Sequence, residues 1–175
     1  RTVEGDMGMR ESSVCLLKEV GKEGFATKCN LPENVIENAI EKRVSLRDYI
    51  ADVDFEKVID REIACSAVSI SARRHAGIVK NEFYDGYRLV QRGKNLLEIK
   101  TVIGTGGILV NSNEEDAFAI LENVKIGASE KETVLLPEEV TAMVDKDYVF
   151  FAAGLLRDYD KNAALAIMKK SLGLK

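Results

Sequence analysis

Apolar positions in the first half of this chain recur at helical spacing. After Ser12 and Ser13, residues Val14, Leu17 and Val20 follow that period up to Gly21, which is suited to close a helix. Pro32 opens a second helix, where Val35, Ile36, Ala39 and Ile40 form one stripe and Glu33, Glu37, Glu41 and Lys42 lie outside it. From Phe55 to Val79 the pattern predicts one long helix, with Phe55, Val58, Ile59 and Ile63 on the 3.6-residue period. Its second half, from Ala64 to Ala72, is small and almost uncharged, as in a helix packed closely on other backbone. Arg73, Arg74 and His75 end that dry stretch.

From Gly86 the period changes to two. Tyr87, Leu89 and Gln91 alternate up to a turn at Arg92-Gly93-Lys94-Asn95, and Leu97 to Ile103 runs out as a strand ending in Gly104-Thr105-Gly106-Gly107. A helix is predicted from about Glu114 to Val124 with Asn113 as its cap. Val134 to Pro137 reads as a short extended edge. Asp145 or Asp147 caps a charge-free helix around Tyr148 to Leu156, a composition that calls for burial on nearly every side. Asp160 caps a last helix with Ala164, Leu165, Met168 and Leu172 on one face. At the other end, Thr2 and Val3 suit a strand that runs into a glycine turn. Helices with a few strands, in strand-then-helix order in the second half, predict an α/β fold with helix in excess.

Composition narrows the function classes. The chain has 175 residues, the size of one ordinary domain, and the expectation is a single domain over 1–175. A hydrophobic share of 46% with 31% charged residues excludes disordered, collagen-like and coiled-coil classes. Lys and Arg number 25 against 29 Asp and Glu, so the basic surplus expected of a nucleic-acid binder is missing. No apolar run reaches the roughly 18 residues that span a bilayer. Cys15, Cys29 and Cys65 form no CxxC pair, which fits a reducing cytoplasm. With His75 as the sole histidine, no metal site is expected. The chain starts at Arg1, and the expectation is a piece of a longer protein.

Two stretches carry candidate chemistry. Three glycines in four residues at the end of a strand, Gly104, Gly106 and Gly107 around Thr105, leave bare main chain that a nucleotide can approach. No Gly-Lys-Ser/Thr follows, so this is not a Walker loop, and the spacing is not GxGxxG. Taken alone, the residues leave nucleotide contact and a tight structural turn both open. In the second stretch, Asp6 lies between Gly5 and Gly8 and Arg10 follows. Asp6 suits a metal ion or a shaped phosphate loop and Arg10 a bidentate phosphate contact; the plainer account is a turn in which Asp6 caps its own backbone. Arg73-Arg74-His75 suits an anion or adenine contact, or simply cations at a helix C-terminus. The run Glu37, Glu41, Lys42 and Arg43 reads as a solvated helix face. Neither an acid–base pair nor a nucleophile stands out.

Several motifs in fixed order carry a resemblance: Thr2 to Arg10, Arg74-His75-Ala76-Gly77, Gln91 to Leu96, Val102 to Gly107, Leu135-Leu136-Pro137, Asp145-Lys146-Asp147-Tyr148 and Ala153-Gly154-Leu155-Leu156. Together they resemble the C-terminal part of the glutamate mutase-associated MutL/GlmL family, within the actin/hexokinase/heat-shock chaperone ATPase superfamily. The resemblance implies a ribonuclease-H-like second lobe of an actin-like ATPase, with a helical insertion and long helix over about 30–80. It implies the C-terminal, nucleotide-binding part of an ATP-dependent reactivating chaperone for an adenosylcobalamin-dependent mutase such as glutamate mutase. Gly104, Thr105, Gly106 and Gly107 match the superfamily's adenosine motif. Asp6, Gly8 and Arg10 then line the cleft near the phosphates, and Arg73 covers the adenine. ATP with magnesium is the cofactor implied for the longer parent, and mutase subunits are its partners. The family's two phosphate loops have no counterpart here, so no turnover is expected from this chain alone. A sheet edge left open by truncation offers a route to a homodimer. The alternative is an interaction module in which the helices from Pro32 to Asp54 dock a mutase subunit and the glycine turns are structural.

Overall fold

In a computed structural model, residues 4–83, 85–127 and 133–174 are described; the strand expected at Thr2 and Val3 lies outside them. The fold is mixed α/β, about half helical, with two small sheets. Contacts group the chain into two compact units, Arg1–Glu98 with Asn123–Glu138, and Ile99–Glu122 with Glu139–Lys175.

The first unit is built on four helices: α1 (Ser13–Val20), α2 (Lys22–Cys29), α3 (Glu33–Ser45) and α4 (Asp54–His75). Their core gathers Met7, Leu16, Phe25, Cys29, Ile36, Ala39, Ile40, Ile59 and Ile63. In α1 the buried positions are Ser13 and Leu16, with Leu17 and Val20 packed on the core beside Leu16, while Val14 faces out, contrary to the expected stripe. Gly21 ends α1 at φ 80° and begins α2, which the sequence pattern did not show. Phe25 and Cys29, four residues apart, are the buried positions of α2, with Ala26 packed beside them. The α3 helix follows the expected stripe, except that Arg43, read as part of a solvated face, is fully buried. On α4 the inner face is Glu56, Ile59, Asp60 and Ile63, and Phe55 and Val58 point outward.

The α4 helix stops at His75, short of the expected Val79, because the chain turns extended at Ala76 and enters an antiparallel hairpin of β1 (Ile78–Phe83) and β2 (Tyr87–Arg92). Gly77 packs against the backbone of Arg92, Gly93 and Lys94 so closely that a Cβ there would sit 2.8–2.9 Å from their atoms. Its N–H donates to Lys94 C=O at 2.6 Å. Val134 bridges Ile78 on the side of β1 away from β2, and Leu135 and Leu136 after it are buried.

The second unit is a strand–helix–strand arrangement followed by two helices. β3 (Thr101–Gly104) is shorter than the predicted strand and pairs in parallel with β4 (Thr141–Val144), Gly104 opposite Val144. Between them run α5 (Gly107–Val110) and α6 (Glu114–Leu121), the latter capped by the Asn113 side chain as expected. Ala117, Ile120 and Leu121 turn inward. α7 (Phe150–Leu156) and α8 (Lys161–Ser171) complete the unit, and Asp160 caps α8 through the N–H groups of Asn162 and Ala163. The charge-free α7 is not buried on all sides: Ala153 is inside, whereas Phe151 and Leu155 are 68% and 74% exposed. No helix among the described residues is long and apolar enough to cross a membrane.

Candidate functional site

The glycine turn after β3 is shaped from two directions. Gly104 is buried, and a Cβ there would collide with the Leu109 and Leu121 side chains, so close packing of α5 and α6 on the strand demands glycine. Gly106 sits at φ 128°, where L side chains are strained, and a Cβ there would meet open space. Gly107 begins α5 and is equally uncrowded, with only the Asn111 amide at 3.9 Å. Gly106 C=O accepts the N–H groups of Leu109 and Val110, which fixes the start of α5. The turn therefore presents main chain at Gly106 and Gly107 with nothing above it. Thr105 is exposed, but its hydroxyl points inward and donates to Asp145 Oδ2 at 2.9 Å.

Asp145 holds this arrangement. It follows β4, is fully buried, and donates its N–H to Gly104 C=O at 2.9 Å. Its carboxylate accepts four hydrogen bonds: Thr105 Oγ1 and Phe150 N–H on Oδ2, Ser171 Oγ and Val149 N–H on Oδ1. Burial alone pushes such a carboxyl up. Here the bonds from Ser171, Phe150, Val149 and Thr105 outweigh it and hold the group below its ordinary value. Sequence reasoning saw Asp145 as one of two candidate caps for α7; its hold on Thr105 and Ser171 was invisible because those residues are 40 and 26 positions away.

Beside the turn, the same unit has a pocket of about 230 Å³ walled by Leu109, Ala117, Phe118 and Val144. Glu114 and Lys146 rim it and pair at 3.1 Å.

The other predicted site residues lie in the first unit. Asp6 is paired with Arg74 at 2.8 Å, and that hydrogen bond is the main reason its carboxyl stays below its ordinary value. Arg74 also reaches Glu19 at 3.2 Å and Glu4 at 3.5 Å, and the Asp6 and Glu19 bonds raise its pKa further. Gly8 is not forced by space, since a Cβ would make ordinary contact with Ser12. Arg10 directs all five N–H donors at acceptors in its own unit: Tyr49 C=O from Nε and Nη2, Met9 C=O from Nη1, and both Asp60 oxygens at 3.1 Å. Arg73 donates to Ser69 Oγ at 2.8 Å and to Ser69 C=O. A phosphate reaching Arg10 would have to displace bonds already made.

Around Asp60 lies a cluster that the sequence pattern missed. Arg43 donates from Nε to Asp60 at 2.7 Å and pairs with Glu56 at 2.7 Å, while Lys42 meets the other Glu56 oxygen at 3.1 Å. Lys42 also stands 3.9 Å over the Tyr49 ring. For Glu56, burial works upward but is outweighed by the bonds from Arg43 and Lys42, leaving its carboxyl below the ordinary value. The available signal was Glu56 and Asp60, four residues apart on the apolar face of α4. Burial pushes the Cys29 thiol up to about 11 and moves Cys65 the same way, which disfavours the thiolate at both.

Comparison with known proteins adds a family. A family model described as MutL protein matches residues 1–172. The curated Protein MutL of Clostridium tetanomorphum is 33% identical over 177 aligned residues, covering 98% of this chain. The chain spans 37% of the length of that relative. No solved structure matches it.

Proposed function

The chain belongs to the MutL family, and from that premise we propose that it is the adenine-nucleotide-binding part of an ATP-driven reactivating factor for an adenosylcobalamin-dependent mutase such as glutamate mutase. The carrying observation is the glycine turn: Gly106 and Gly107 expose main chain at a strand's C-terminal end, with Thr105 anchored beneath. Gly104, Thr105, Gly106 and Gly107 form the adenylate seat. Asp6, Gly8, Arg10 and Arg73 belong to the other unit, and the proposal does not require them. The parallel strand–helix–strand unit is compatible with half of an actin-like lobe, which is the fold this reading implies. In the longer protein, ATP with magnesium binds the closed state more tightly than the open one and so drives the motion that exchanges damaged cofactor. Three free thiols fit work in a reducing cytoplasm.

The test is titration of magnesium ATP and ADP against the chain, with Gly107→Leu as the blocking variant. Gly107 has helical backbone and open space, so the substitution covers the seat without the strain that any side chain would meet at Gly106. A loss of about tenfold or more in affinity (~1.4 kcal/mol) at unchanged melting temperature is expected. Equal affinity in both proteins overturns the assignment.

A second reading has its own support. Between α3 and α4, Leu46, Ile50 and Val53 are exposed, with Phe55 and Val58 following on the outer face of α4. Ile50 is 74% exposed. Such a surface suits docking of a mutase subunit. Under that reading Ile50→Asp lowers mutase capture and Gly107→Leu leaves it unchanged.

A further inference from the structure

A fully buried carboxylate that ties a surface turn to two helices is more than a cap. Asp145 touches the glycine turn through Thr105 Oγ1, the first turn of α7 through the N–H groups of Val149 and Phe150, and the end of α8 through Ser171 Oγ. Ser171 is bound back in turn, accepting Asp147 N–H at 3.0 Å on its hydroxyl. Two donors occupy each oxygen, so the bond from Thr105 shares Oδ2 with the Phe150 N–H, and displacing Thr105 leaves the buried carboxylate held by α7 and α8 alone. Solvent does not reach the group to replace a lost bond.

We infer that Asp145 is the positioning residue of the glycine turn and links the turn's conformation to the N-terminus of α7, so that occupation of the turn is registered at Val149 and Phe150. The ligand-dependent half of this inference rests on the reading of the turn as an adenylate seat. Thr105 is the movable contact, and α7, held along one face only, is the element that responds.

The experiment measures amide hydrogen exchange by NMR and magnesium ADP affinity on the whole chain, for the unsubstituted protein, Thr105→Val, Thr105→Ser and Asp145→Asn. Thr105→Val keeps the shape and removes the donor, and Thr105→Ser restores the donor. The expected result is faster exchange at Val149 and Phe150 in Thr105→Val without nucleotide, recovery in Thr105→Ser, and about tenfold weaker ADP binding in Thr105→Val. Added ADP slows the same amides in the unsubstituted chain and not in Thr105→Val. Asp145→Asn, nearly the same size, shows the same loss of ADP response if it folds, and Thr105→Val decides if it does not. Exchange at Val149 and Phe150 that is indifferent to Thr105→Val overturns the link. So does ADP binding that leaves those amides untouched. Absence of ADP binding in the unsubstituted chain overturns the seat instead, and the nucleotide-free exchange still decides the link.

Discussion

Arg43 has the charge of a surface residue and the environment of a core one. Its guanidinium has no exposed atoms and faces Asp60 and Glu56, which are themselves buried. Truncation to alanine leaves two carboxylates without their shared cation. Loss of one partner of a buried pair costs about 3–5 kcal/mol. Arg10 still serves Asp60 and Lys42 still serves Glu56, so the lower end of that range is expected for Arg43→Ala in urea unfolding. A change below about 1 kcal/mol would show that the pair is not formed in solution. Helical spacing from Ile36, Ala39 and Ile40 does place Arg43 on the inner face, unlike Glu41 and Lys42, but its charge makes it read as solvated until the partner carboxylates on α4 are in place. Asp145 differs, because its carboxylate is held by hydrogen-bond donors. Its folded-state pKa lies below the ordinary carboxylate value, so its stabilisation is complete above the unfolded-state pKa and disappears as pH falls through the folded one. The stability gap between the unsubstituted chain and Asp145→Asn is therefore constant near neutral pH and closes below about pH 4. Because Glu56 titrates in the same direction in both proteins, the difference isolates Asp145. A gap independent of pH down to acid unfolding contradicts the four-bond geometry.

The elements that follow one strong local rule were readable, and those fixed by a distant contact were not. The α3 stripe, the Asn113 and Asp160 caps and the glycine turn after a strand all stand where the pattern put them. The end of α4 does not, because helical spacing continues through Val79 and the stop comes from the approach of Gly77 to Gly93. Likewise α7 was expected inside on composition, but its contact surface is one face around Ala153. The Gly77 approach is testable. A Cβ there would lie 2.8–2.9 Å from Arg92 C=O, Gly93 and Lys94 C=O, all main-chain atoms of the hairpin's exit, which have little freedom to yield. Gly77→Ala is expected to cost about 1–3 kcal/mol by overpacking, and to release the bond from its N–H to Lys94 C=O. Faster amide exchange at Gly77 and Leu96, with α1–α3 unaffected, is the signature. An unchanged melting temperature would show that the hairpin can move away at no cost.

The family motifs are distributed over both units, and this makes the division of labour between them decidable. Asp6 to Arg10, Arg74 to Gly77 and Gln91 to Leu96 lie in the first unit; Val102 to Gly107, Asp145 to Tyr148 and Ala153 to Leu156 lie in the second. Sequence similarity weighs all of them alike, because order and identity do not reveal which side chains are already engaged. The structure separates them physically. Arg10 has each N–H donor directed at an acceptor inside its unit, while Gly106 and Gly107 have open space above them. A nucleotide that binds only the native state stabilises it by RT ln(1 + [L]/Kd), about 2.7 kcal/mol at a hundred times Kd, and the substitutions that remove this gain identify the seat. Arg10→Lys keeps the charge but loses the fork that grips Asp60. It is expected to lower the melting temperature while leaving the ADP-induced shift intact, whereas Gly107→Leu leaves the melting temperature intact and abolishes the shift. If Arg10→Lys removes the shift as completely as Gly107→Leu does, loss of the shift no longer singles out the glycine turn, and the assignment of the seat to Gly106 and Gly107 fails.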